Sequence, residues 1–149
     1  MKTPKKVRRP VSAIDKNRLD EEWTGQPEKM EKYARMLADA RNDHAVKKAE
    51  FELRVAELTA AVRLNPSRYG LAKVTEGGIE QAVIVLKAYQ EAQRAVNDAN
   101  HKADLLKAVV DALIHRRSAL ESLVDLFKVS YFSDPMVRTT GVVERKVKS

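Results

Sequence analysis

The chain reads as an all-α protein, a long helical hairpin with coiled-coil-like seams. Between Pro27 and Leu64, and again between Ile79 and Phe127, no proline or glycine interrupts the sequence. Along both stretches the apolar positions recur at alternating steps of four and three, the period of a helical seam and not of a strand. Aromatic residues are only 5% of the chain, with just five Gly and five Pro.

The elements follow in order. Residues 1–12 carry two prolines and alternate basic with small side chains, and read as a basic flexible arm. Residues 13–23 can form a short helix with Ile14, Leu19 and Trp23 on one side, broken by Thr24-Gly25-Gln26-Pro27. Pro27 suits the first turn of the next helix, where its missing N–H has no intrahelical partner to lose. That helix is expected over about 27–64, with a seam at Tyr33, Leu37, Ala40, His44, Lys47, Phe51, Val55, Leu58 and Val62. At about 1.5 Å per residue it would be about 57 Å long. The seam is weakest at Ala40, His44 and Lys47.

Asn65-Pro66-Ser67-Arg68-Tyr69-Gly70 is a turn, since Pro66 disfavours helix at Asn65 and Gly70 permits a positive φ. Thr75 is a candidate N-cap for a third helical stretch, about 75–128. Gly77 and Gly78 weaken its first turn, each by about 1 kcal/mol against Ala, and leave room for close approach of another group. The seam runs Ile79, Ala82, Leu86, Tyr89, Gln93, Val96, then Ala99, Ala103, Leu106, Val110, Leu113, Arg117, Leu120, Val124 and Phe127. Two steps of three coincide around Gln93–Ala99, so the stretch is one long helix or a pair broken near Asn97. Tyr131 and Phe132 are expected to cap the core, Asp134-Pro135 to stop the helix, and residues 138–149 to form a basic tail. The helical domain thus spans 13–137.

Helices of this length do not fit a compact chain of 149 residues, whose radius of gyration would be about 15 Å. Leu105, Leu106, Val109, Val110, Leu113 and Ile114, continued by Leu120, Leu123, Val124 and Phe127, form a stripe wider than one seam. A homo-oligomer built through the C-terminal helical region, on Leu106, Val110, Leu113, Leu120, Val124 and Phe127, is the expected assembly. The competing arrangement is a monomeric bundle with bent-back helices.

Of the net charge of +7, the first ten residues hold +5 and residues 138–149 hold +3, leaving −1 between them. Basic ends of this kind bind polyanions or keep a protein in solution. There is no cysteine, and so no disulfide framework or thiolate metal site. No apolar run spans a membrane, and the first residues lack a secretory h-region. A soluble intracellular protein is expected. His44, His101 and His115 have no metal-ligand spacing, Asp111 and His115 making at most half a site. There is no phosphate-cradling glycine loop, nucleophile elbow or His-Glu-x-x-His. No catalytic residue, metal or cofactor is expected, and the protein is not expected to be an enzyme. Arg117, on the seam, is expected to pack its stem and reach Glu121 or an acid of another chain.

Chemistry concentrates near the hairpin turn. Arg54, Arg63, Arg68 and Lys73 surround it with Tyr69 among them, and Lys47 and Lys48 lie farther down the long helix. A basic groove with an occasional aromatic is how sequence-neutral binders follow a single strand. With few aromatics, binding would be mostly electrostatic and salt-dependent. The alternative is a solvated helix face interleaved with Glu50, Glu52 and Glu57.

The segment order then resembles a known family. It runs Tyr33-Ala-Arg-Met-Leu37, Val46-Lys47-Lys48, Ala61-Val62-Arg63, Arg68-Tyr69-Gly70, Thr75-Glu76-Gly77-Gly78-Ile79, and Leu106 through His115-Arg116-Arg117 to Val124. Over roughly residues 30–132 this resembles the UvsY-like recombination mediators of bacteriophages. The resemblance implies a small all-helical oligomer that binds single-stranded DNA. Such a protein helps a RecA-type recombinase displace the single-strand DNA-binding protein during recombination and repair. It implies DNA contacts at Lys47, Lys48 and Arg63. Arg54, Arg68 and Lys73 join them from charge and position. Oligomerisation would fall to the C-terminal helical region, and the compartment would be the cytoplasm, that of the host for a phage protein. The basic arm and the last dozen residues lie outside the resemblance, and acidic residues interrupt the DNA face. The competing function is a coiled-coil scaffold or adaptor, structural or chaperone-like, without specific nucleic-acid binding. A toxin–antitoxin or regulator module lacks a recognition-helix pattern.

Overall fold

A computed structural model describes residues 9–129. The expectations placed on residues 1–8, on Tyr131 and Phe132, on Asp134-Pro135 and on the 138–149 tail lie outside the described residues. The described chain is helical, with no strand: α1 (Leu19–Thr24), α2 (Gln26–Leu64), a 3-10 turn η1 (Pro66–Tyr69), α3 (Glu76–Ile84) and α4 (Lys87–Lys128). It divides into two units, one of residues up to Lys32 and from Val109 on, the other Tyr33–Ala108.

In the first unit, the short helix is later and shorter than the sequence predicts, beginning at Leu19 and not near residue 13. The reason is local. The backbone N–H of Asn17 donates to Asp15 Oδ1 at 3.0 Å, and that of Asp15 donates to Glu22 Oε1 at 3.1 Å. Side-chain oxygens thus hold the backbone of 15–17 in a turn that competes with helix. Asp20, Glu21 and Glu22 fill the first turn of α1, complementing its dipole. Gly25 closes α1 by donating to the Glu21 carbonyl at 2.9 Å, and α2 starts at once, with Pro27 in its first turn as expected. Leu113 and Leu120 of α4 are fully buried here.

In the second unit, the core is Val62, Ile79 and Val83, with Leu58, Tyr69, Leu71, Ala82, Leu86 and Tyr89 packed around it. Phe51 of α2 meets Tyr89 of α4 edge to face, ring centroids 5.2 Å apart. The α2 seam is as read: Leu37, Ala40 and Val62 are buried and Tyr33, His44, Lys47, Phe51, Val55 and Leu58 half-buried. Between the helices, η1 is closed by Gly70 in the left-handed region, at φ 75°. Its N–H donates to Ser67 at 3.2 Å, and that of Leu71 to Pro66 at 3.0 Å. Thr75 caps α3, its hydroxyl oxygen accepting from Gly78 N–H at 3.2 Å.

The third helical stretch is broken, but not near Asn97, which lies inside the continuous α4. The break is at Val85-Leu86. Val83-Ile84-Val85 is a run of three β-branched residues, whose stiff side chains crowd the preceding turn. The chain tightens there, Leu86 N–H donating to Val83 three residues back at 3.0 Å.

Candidate nucleic-acid interface

The six basic residues proposed from sequence do not form one face. Helical geometry of about 100° per residue places Arg54 and Arg63 on opposite sides of α2. Three of the six are held by carboxylates. Lys47 donates to Glu50 at 2.8 Å, Arg54 to Glu57 at 3.1 Å, and Arg63 to Glu76 of α3 at 2.6 Å. The Glu50 hydrogen bond and charge hold the Lys47 ammonium above its usual value. The other three, Lys48, Arg68 and Lys73, are exposed and make no ion pair among the described residues. Lys48 is about 24 Å from the end of α2 along its axis. Arg68 and Lys73 lie close in sequence at the end of the hairpin.

That end carries an open depression of 520 Å³ lined by Tyr69, Leu71, Gly77, Gly78, Gln81 and Ala82. The half-buried Tyr69 ring is anchored on the core beneath, because η1 turns it towards Val62, Ile79 and Val83. Gly78 has a packing reason to be glycine. A Cβ there would lie 3.0 Å from the capping Thr75 hydroxyl and 3.3 Å from Leu71. Gly77 has none, since a Cβ would meet nothing within 4 Å.

The proposed oligomerisation residues also divide. Leu113 and Leu120 are fully covered within the chain and have no surface to offer another copy. Leu106, Val110 and Val124 are half-buried, and Phe127 is 48% exposed.

The polar centre that sequence reasoning missed is Arg116, only 2% exposed. The seam residue at this level is Arg116, and Arg117 is exposed, its guanidinium donating to Glu121 at 3.1 Å. Arg116 donates to the side chains of Glu22 and Gln26 and to the Ala13 carbonyl. Gln26 in turn donates to the Leu113 carbonyl at 2.8 Å, and Lys29 to Glu22 at 3.2 Å. Burial pushes the Glu22 carboxyl up, but the Asp15 N–H, Lys29 and Arg116 outweigh it and hold Glu22 below the usual carboxylate range. Each guanidinium nitrogen of Arg116 has an acceptor, so the chemistry of the cluster is that of a structural clasp. After Leu113, steps of three and of four both continue a seam, and the acceptors of Glu22, Gln26 and Ala13, distant in sequence, favour Arg116.

Among the described residues, no group of three or more His, Asp or Glu side chains is placed to hold a metal ion. No described helix is long and apolar enough to cross a membrane. Comparison of the chain with protein-family models, curated proteins and solved structures gives no match.

Proposed function

We propose that the chain is a non-enzymatic, single-stranded DNA-binding recombination mediator. On this reading it self-associates and helps load a RecA-type recombinase onto DNA coated with single-strand DNA-binding protein. The observation that carries the reading is the hairpin end. Arg68 and Lys73 are exposed there without a carboxylate partner among the described residues, beside a depression lined by Tyr69. Cations left uncommitted next to an aromatic ring suit a phosphate backbone carrying unstacked bases. The order of segments and the basic termini point the same way. Lys47, Arg54 and Arg63 have a smaller part, because each would have to leave a carboxylate to reach a phosphate. Self-association rests on Leu106, Val110, Val124 and Phe127.

The scaffold reading is favoured by the same ion pairs. Lys47–Glu50 and Arg54–Glu57 are three residues apart, as on an ordinary solvated helix face. Fluorescence anisotropy with labelled single- and double-stranded oligonucleotides, titrated with salt, separates the two, with light scattering for the assembly. The mediator gives single-strand preference and an affinity that drops steeply with salt. A well-folded oligomer that binds neither strand at low salt leaves the scaffold.

A further inference from the structure

Gly77 occupies the first turn of α3, where glycine weakens a helix and where nothing in the packing excludes a side chain. Gly77 is also one of the residues that line the Tyr69 depression. The other lining residues include Tyr69, the apolar Leu71 and Ala82, and Gln81. At 520 Å³ the depression lies within the range of small-molecule sites, about 300–1,000 Å³. An aromatic residue, two glycines and one amide able to donate and accept are a lining that suits a flat heteroaromatic ring.

We infer that this depression receives one unstacked base of a single DNA strand, stacked against Tyr69 and admitted by the absence of a side chain at Gly77, with Arg68 and Lys73 holding the flanking phosphates. The inference rests on the single-strand-binding reading and adds to it a base-dependent component, where charge alone would see only phosphates. Base-on-aromatic stacking tolerates every sequence, because each base has a π face. The seat therefore confers preference for unpaired strands over duplex without sequence specificity. Duplex DNA keeps its bases stacked inside and presents none to the depression.

The test uses the full chain and two oligonucleotides of equal length and charge, one of oligothymidine and one of abasic spacers. Wild type is expected to bind oligothymidine at least about fivefold more tightly than the abasic strand. Gly77→Leu places a side chain in open space and is expected to keep helicity by circular dichroism. It should bind both strands alike, at the abasic strand's affinity. Gly77→Ala, which fills less of the depression, should fall between. Equal wild-type affinity for the two strands, or a Gly77→Leu variant that keeps the preference, overturns the base seat and leaves electrostatic strand binding standing. Binding of neither strand at low salt overturns both.

Discussion

Arg116 shows how one side chain can tie distant parts of a chain together. A guanidinium with its side chain wholly inaccessible is tolerated only when its donors are satisfied, and here the acceptors are Glu22, Gln26 and the Ala13 carbonyl. Truncation leaves the Gln26 oxygen and part of the Glu22 carboxylate without a partner in a covered place. Arg116→Leu is therefore expected to destabilise the fold by about 3 kcal/mol, read as a lowered urea midpoint. Its neighbour Arg117, exposed and paired to Glu121, should change stability by less than about 0.5 kcal/mol when made Ala. Glu22 adds a pH dependence of definite sign. Its folded pKa lies below the usual 4.5, so its contribution is complete above that value and is lost as the pH falls through the folded pKa. The urea midpoint should fall with acidification in that window, and Glu22→Gln should remove part of the fall while lowering stability at neutral pH.

Whole helices were legible because their signal repeats. The α2 seam recurs over nine positions, and an error at one is corrected by the rest. Helix ends rest on one or two residues, and those with strong stereochemistry were readable: Pro27, Gly70 and the Thr75 cap. Weak local preferences were not. The β-branched run at Val83–Val85 costs only tenths of a kcal/mol, so nothing in the sequence marked it above the polar stretch around Asn97. The Asx-type turn at Asp15 was hidden in a segment with good helical spacing. The readable ends can be ranked by what replaces them. Gly70→Ala must hold a side chain at φ 75° and should cost about 1–2 kcal/mol. Thr75→Ala removes an acceptor from Gly78 N–H and should cost about 1 kcal/mol. Both should appear in chemical denaturation, with the loss of amide-exchange protection for Thr75→Ala concentrated in the first turn of α3.

At the scale of the molecule, the proposed strand binding turns on which positive charges would meet the phosphates. Charge and turn position single out Arg68 and Lys73 in the sequence, and the structure leaves both exposed and without an ion pair among the described residues. The ion pairs of Lys47 and Arg54 were also readable, from glutamates three residues on. That of Arg63 was not, since Glu76 is thirteen residues away across the turn. Besides those pairs, the exposed cations include Lys48 on α2, Arg68 and Lys73 at the hairpin end, and the basic termini, which hold +5 and +3. Salt dependence counts them. For a single strand, log K falls with log salt at a slope of about −0.7 for each phosphate neutralised. Arg68→Ala with Lys73→Ala should therefore flatten the slope by about 1.4 if both contact phosphate. The termini would keep their share, so binding would weaken but remain salt-dependent. An unchanged slope in the double variant would take the hairpin end out of the interface and leave the strand to the other cations.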